Sequence, residues 1–148
     1  MKESSSLPKV IGLYGFSDSG KTSLIFRLIQ SLEKAGFSAA VIKCTDKSIS
    51  SEPGEKDTSG FRAAGAKMTS FSSTSETNFV LPIIMPLSQI IKHIQIFVEV
   101  DIILVEGAHD PEIQKVRLGD IAERENTIYT YEGDFDTLLE QILLLIRR

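Results

Sequence analysis

The 148-residue chain has a single cysteine, no tryptophan and no cluster of basic residues. Cys44 alone cannot form a disulfide within the chain, which fits a reducing cytoplasm. Sixteen Lys and Arg against 20 Asp and Glu give a formal net charge of −4, and the basic residues are scattered along the sequence. Nucleic acids and anionic membranes are bound by clustered cations. The composition therefore predicts a cytoplasmic protein that has neither nucleic acid nor membrane as a partner.

Long apolar segments are also missing. No apolar run approaches the length that crosses a bilayer, and the residues up to Leu7 lack the apolar core of a signal peptide. Strand-like and helix-like segments alternate along the chain, which is typical of an α/β fold with a mainly parallel sheet flanked by helices. The length fits one domain with its own core, here residues 1–148. The predicted strands are residues 9–14, 38–44, 68–72, 77–84, 101–106 and 127–131, and the predicted helices are 23–35, 61–66, 86–98 and 135–146.

The most informative motif is GFSDSGKT, which lies between the first strand and the first helix and matches the phosphate-loop pattern GxxxxGK[ST]. In this motif the backbone N–H groups curl around a phosphate, and the helix N-terminus adds partial positive charge. Lys21 is expected to reach the β and γ phosphates, and the Thr22 hydroxyl to ligate Mg²⁺. An ordinary glycine turn is the alternative, but the flanking strand and helix favour a P-loop NTPase fold. The predicted nucleotide-binding residues are Gly15, Phe16, Ser17, Asp18, Ser19, Gly20, Lys21, Thr22 and Ser23.

A second candidate is Glu106, which ends the apolar run that begins after Asp101. Four consecutive aliphatic residues predict a strand buried on both faces. The carboxyl end of such a strand faces the crevice in which open α/β sheets bind ligands. We therefore expect Glu106 to complete a Mg²⁺ site with Thr22, the alternative being a solvated strand-end acid. Gly107 would let the backbone pass close to the nucleotide.

Asp57 and Arg62 lie in or just after a polar segment, residues 45–60, that is predicted to be a loop. In a switch-like loop, the aspartate could orient the attacking water and the arginine could bind the polyphosphate. A surface ion pair is the alternative interpretation. His109 and Asp110 could form a metal pair, although two donors on one loop are weak evidence for such a site.

Four segments together resemble the MobB family, the molybdopterin-guanine dinucleotide biosynthesis adaptor proteins. They are GFSDSGKTS with its helix, the strand end AAVIKCT, the stretch PGEKDTSGFRAAGAKM and the run DIILVEGAHD. The third segment is the most specific, because it is similar to the family pattern PGKDS…R.AGA, whereas a phosphate loop occurs in many families. The resemblance covers roughly the whole chain and fades after Asp110.

The resemblance implies a homodimeric GTP-binding protein with weak, Mg²⁺-dependent GTPase activity. Its implied partner is the MobA-like guanylyltransferase that joins GMP to molybdopterin, and its implied dimer is built through the strands at 68–72 and 77–84. The resemblance assigns phosphate and Mg²⁺ binding to Gly15, Gly20, Lys21, Thr22 and Glu106. Together with Lys21, the catalytic candidates are Asp57 and Arg62. Guanine specificity is implied by the resemblance alone, because the sequence has no N-K-x-D motif.

Two other functional classes fit a phosphate loop. One is a small-molecule kinase that uses ATP, but such kinases usually close an arginine-bearing lid over the phosphates. Arg117 and Arg124 follow the acid-bearing strand without an insertion of that size. The other is a scaffold that binds nucleotide without hydrolysing it. Phosphate release and metabolite phosphorylation distinguish these classes.

Overall fold

A computed structural model describes residues 6–51 and 57–148. The chain divides into two compact units, one formed by Met1–Thr45 with Leu87–Arg148 and the other by Asp46–Pro86. In the described ranges, no helix has the length and apolar character to span a membrane. The elements of the larger unit are β1 (Lys9–Gly15), α1 (Lys21–Lys34), β2 (Ala39–Lys43), α3 (Leu87–Phe97), β5 (Ile102–Glu106), β6 (Gln114–Leu118), β7 (Thr127–Tyr131) and α4 (Phe135–Ile146). Those of the smaller unit are α2 (Asp57–Ala63), β3 (Thr69–Ser72) and β4 (Thr77–Val80).

The larger unit is built on a five-stranded sheet with the order β2-β5-β1-β6-β7, in which all neighbouring strands are parallel. Helices α1 and α4 pack on one face, where Leu28 and Leu138 are fully buried against β1 and β5 residues such as Leu13. Helix α3 packs on the other face against Ile103 and Val105. The predicted fold class, an α/β fold with a mainly parallel sheet flanked by helices, is confirmed.

In the smaller unit, β3 and β4 form an antiparallel pair and α2 precedes them. The prediction of a loop up to residue 60 is wrong for its last part, because α2 begins at Asp57. Thr, Ser and Gly have low helix propensity and favour the loop interpretation, whereas an acid in the first turn stabilises a helix through its dipole. The strand predicted over 77–84 ends at Val80, since Pro82 has no N–H to donate to a ladder. Residues 52–56, part of the predicted loop, lie outside the described residues.

Strand β6 is absent from the sequence-based prediction. Its segment, QKVRL, contains two basic residues and a glutamine among five positions, which favours a surface segment. Lys115 is nevertheless fully buried, although lysine is almost never fully buried in proteins. Its ammonium group donates to the carbonyl oxygens of Ile113 at 2.7 Å and Glu125 at 2.8 Å. These two hydrogen bonds satisfy the polar group that burial removes from water.

The connection from β5 to β6 crosses β1 within residues 107–113, which we call the crossover segment. This segment contains no helix, although a parallel crossover usually takes a dozen or more residues and a helix. Gly12 leaves room for it, because a Cβ at Gly12 would lie 2.6 Å from the Cβ of Ala108 and 3.3 Å from Cγ of Lys115. The crossover segment therefore lies directly on β1, immediately after Glu106.

Candidate functional site

The phosphate loop joins the central strand β1 to α1, at the carboxyl edge of the sheet where α/β folds bind ligands. Gly20 is the N-cap of α1 with φ of 86°, a conformation that glycine adopts without strain. At Gly15 a Cβ would lie 2.7 Å from Oγ of Ser19 and 3.0 Å from the carbonyl oxygen of Leu118. Both glycines are thus required by the backbone of the loop. The first turn of α1 has no acidic residue, so its partial positive charge is available to an anion.

Lys21 lies over the loop that precedes it. Its Nζ donates to the carbonyl oxygens of Gly15 at 3.1 Å and Phe16 at 2.9 Å. Phosphate oxygens carry charge and accept stronger hydrogen bonds than these neutral carbonyls. Asp18 has φ of 62° and is exposed. The other exposed members of the predicted set are Phe16, Ser17, Ser19, Gly20, Thr22 and Ser23.

Glu106 and Thr22 lie together, as the sequence predicts. The register of β1 and β5 places Glu106 opposite Leu13, near the start of the phosphate loop. From α1, Oγ1 of Thr22 donates to Oε1 of Glu106 at 3.4 Å. Mg²⁺ prefers oxygen ligands and usually binds through one or two protein groups, with waters and substrate phosphates completing its shell. The two oxygens fit such an ion, and the described ranges hold no group of three or more His, Cys, Asp or Glu arranged as a metal site.

Gly107 and Cys44 join the ends of three strands at this site. The N–H of Gly107 donates to the carbonyl oxygen of Leu13 at 2.9 Å, and the N–H of Cys44 donates to that of Glu106 at 2.9 Å. Gly107 has φ of 79°, and a Cβ there would lie 2.7 Å from the carbonyl oxygen of Cys44. A side chain at position 107 would therefore collide with the backbone at the end of β2. This steric reason for glycine differs from the predicted one, which is close approach of the backbone to the nucleotide. Partial burial raises the pKa of the Cys44 thiol.

Asp57 and Arg62 both belong to the smaller unit. Asp57 begins α2 and is exposed. Nη1 of Arg62 donates to Oγ1 of Thr69 at 3.3 Å, which connects α2 to β3. The catalytic roles of Asp57 and Arg62 stay predictions.

His109 and Asp110 lie on the crossover segment. His109 is exposed. Oδ1 of Asp110 accepts the N–H of Glu112 at 2.9 Å, an Asx-type turn that shapes the segment. Asp110 therefore has a structural role in the connection between β5 and β6.

Sequence reasoning missed Tyr14 and gave Arg124 no role beyond a possible lid. Tyr14, the residue before Gly15, is fully buried. The guanidinium carbon of Arg124 lies 4.6 Å from the centre of its ring. Nη1 of Arg124 also donates to the carbonyl oxygen of Ala108 at 2.7 Å, two residues after Glu106. Local sequence carries no signal for these contacts, because Tyr14, Ala108 and Arg124 are distant from one another along the chain.

Comparison with known proteins gives a consistent result. Residues 10–139 match the family model described as molybdopterin guanine dinucleotide synthesis protein B. A protein from Methanocaldococcus jannaschii, described as a molybdopterin-guanine dinucleotide biosynthesis adapter protein, is 33% identical over 99 residues. That alignment covers 67% of this chain and 40% of the relative. The match thus spans about two fifths of the relative's length.

Solved structures share the fold. The crystal structure of Bacillus subtilis MobB matches with a TM-score of 0.70 at 19% identity, covering 92% of this chain and 96% of that one. The MobB homolog from Bacillus stearothermophilus matches with a TM-score of 0.66 at 16% identity, covering 93% and 97% of the two chains. At these identities, the likeness establishes a common fold.

Proposed function

Because this chain belongs to the family of molybdopterin guanine dinucleotide synthesis protein B, we propose that it is a GTP-binding accessory protein of molybdenum cofactor guanylylation. The observation that carries the proposal is the placement of Glu106 within 3.4 Å of the Thr22 hydroxyl, beside a complete phosphate loop. A Mg²⁺–nucleotide site requires a phosphate-binding loop and a strand-end acid that lie next to each other.

In this proposal, the phosphate loop and the N-terminus of α1 hold the phosphates of GTP. Lys21 exchanges its two carbonyl acceptors for the β and γ phosphate oxygens. Thr22 and Glu106 would hold Mg²⁺, which would supply positive charge that stabilises the phosphates. Asp57 and Arg62 are the candidates for orienting water and binding the polyphosphate, and hydrolysis is slow or stimulated by the partner.

The proposed partners are a second copy of this chain and a MobA-like guanylyltransferase, in the cytoplasm. A two-stranded antiparallel pair is marginally stable by itself. Strands β3 and β4 form such a pair, with Phe71 50% and Phe79 44% exposed. We propose that the homodimer covers these rings.

Phosphate release tests this function. The protein is incubated with Mg²⁺ and GTP, with and without a MobA-like guanylyltransferase, beside the Lys21→Ala variant. Slow release that the partner raises, and that the variant lacks, supports the proposal. Binding without release under both conditions would instead identify a nucleotide-binding scaffold. Transfer of phosphate from ATP to a metabolite would identify a kinase.

A further inference from the structure

The hydroxyl of Tyr14 belongs to a closed cycle of hydrogen bonds. The N–H of Arg124 donates to the Tyr14 hydroxyl oxygen at 2.9 Å. That hydroxyl pairs with Oγ1 of Thr127 at 2.6 Å, and Oγ1 of Thr127 donates to the carbonyl oxygen of Arg124 at 2.6 Å. With Tyr14 donating to Thr127, all three groups donate once and accept once. Hydrogen bonds in such chains strengthen one another, so the cycle fixes the backbone of Arg124 against the residue that precedes the phosphate loop.

The side chain of Arg124 extends from this fixed position to the acid-bearing strand. Its guanidinium stacks on the Tyr14 ring, 4.6 Å from the ring centre, in the arrangement of a cation–π pair. From there, Nη1 donates to the carbonyl oxygen of Ala108 at 2.7 Å. Arg124 thus connects Tyr14, the strand residue just before the phosphate loop, to the backbone just after Glu106.

The far end of the crossover segment is held by separate contacts. Lys115 donates to the carbonyl oxygen of Ile113 at 2.7 Å, and Nδ2 of Asn126 donates to that of Glu112 at 3.2 Å. With that end anchored, the hydrogen bond from Arg124 to Ala108 restrains the end next to Glu106. Backbone movement at Ala108 would shift Gly107, whose N–H pairs with Leu13, and hence the Glu106 carboxylate.

We infer that Arg124 is a positioning residue that holds Glu106 in place for Mg²⁺. The inference rests on the proposed Mg²⁺–nucleotide site. Groups hydrogen-bonded directly to a metal ligand typically change metal affinity by about 10- to 100-fold when they are mutated. Arg124 acts one step further away, through the backbone of Ala108. Arg124 acts on the Glu106 side of the site, whereas the phosphate loop binds the nucleotide through its own backbone and Lys21. Loss of the arginine should therefore reduce the contribution of Mg²⁺ to nucleotide affinity and leave metal-free affinity almost unchanged.

The test is calorimetric binding of GTP to the full chain, once in Mg²⁺ and once in EDTA. The Kd in EDTA divided by the Kd in Mg²⁺ is the Mg²⁺ ratio, which measures how much the metal contributes to affinity. The variants are Arg124→Gln, Arg124→Lys and, as a matched control, Arg117→Gln. Arg117 lies on β6 and holds the same β6–β7 connection through the carbonyl oxygen of Ile121 at 3.2 Å. Its other polar partners among the described residues, Thr130 and Glu123, also lie outside the crossover segment. If Arg124→Gln does not fold, Tyr14→Phe replaces it, because that variant removes the hydroxyl cycle and keeps the ring.

We expect Arg124→Gln to lower the Mg²⁺ ratio by about 10-fold, the lower end of the range for direct partners of a metal ligand. Arg124→Lys should restore part of the ratio because it can still donate to Ala108, and Arg117→Gln should keep the wild-type ratio. An unchanged ratio in Arg124→Gln, equal weakening with and without Mg²⁺, or an equal loss in Arg117→Gln would overturn the inference. A wild-type protein whose GTP affinity does not depend on Mg²⁺ would overturn the proposed function as well, so the two failures are distinguishable.

Discussion

The Thr22 hydroxyl and the Glu106 carboxylate lie 3.4 Å apart although 84 residues separate them in sequence. The first residue belongs to the turn that opens α1, and the second ends β5. Their proximity follows from strand order, because β5 is hydrogen-bonded along β1 and places Glu106 beside Leu13. The two motifs, each weaker evidence alone, therefore define one site.

Replacing Lys21 with alanine should weaken GTP binding by about 10- to 100-fold, since a hydrogen bond to a charged group contributes roughly 1.5–3 kcal/mol. The fold should be retained, because the hydrogen bonds of the amine within the described ranges go to two loop carbonyls. Lys34→Ala, at the other end of α1, is the control. Calorimetry and thermal unfolding measure the two effects. Wild-type affinity in Lys21→Ala would disprove the assignment of the phosphate site.

Thr22→Val and Glu106→Gln should each reduce the dependence of GTP affinity on Mg²⁺. If both groups hold one ion, the double variant should lose little more than either single variant, because residues that share a ligand are not additive. A double-mutant cycle on the Kd in Mg²⁺ measures the coupling. Losses that simply add would mean that the two residues act independently.

Gly107→Ala should destabilise the protein more than Gly133→Ala does. Both glycines have positive φ, at 79° and 111°, so both substitutions strain the backbone by about 1–3 kcal/mol. Only at Gly107 would the new methyl meet a carbonyl, that of Cys44 at 2.7 Å, whereas no described atom lies within 4 Å at Gly133. Urea unfolding of the two variants compares them, and equal losses would contradict the steric argument.

Asp134 caps α4 and gives its stability a defined pH dependence. The side chain and N–H of Thr137 donate to the carboxylate at 2.6 and 3.1 Å, and these hydrogen bonds lower the pKa of Asp134. A lowered folded-state pKa means that the stabilisation is present above the unfolded pKa, about 3.9, and is lost as pH falls through the folded value.

We therefore expect Asp134→Ala to lower Tm at neutral pH, and the difference from wild type to shrink below about pH 4. Thermal melts across pH measure it. Asp136→Ala, in the same first turn, leaves the cap hydrogen bonds in place and is the control. A Tm difference that stays constant through the acid range would show that the cap carboxylate is not responsible.

The phosphate loop and Glu106 could be predicted because each is a short contiguous motif with a fixed place in an α/β sheet. Strand β6 could not be predicted, because Lys115 and Arg117 give it the composition of a surface segment. Lys115 is buried since its ammonium group donates to the carbonyl oxygens of Ile113 and Glu125, contacts that the folded chain provides. The same holds for Arg124, whose partners Tyr14 and Ala108 are distant in sequence. The positions and partners of these residues depend on tertiary contacts, which local sequence propensity does not encode.

Calorimetric binding of GTP and ATP, each with Mg²⁺, to the full chain tests the central claim most directly. The account predicts clear preference for GTP, with affinity that falls when Mg²⁺ is removed and when Lys21 is replaced. Preference for ATP, or no binding of either nucleotide, would contradict a GTP-binding role in molybdenum cofactor guanylylation.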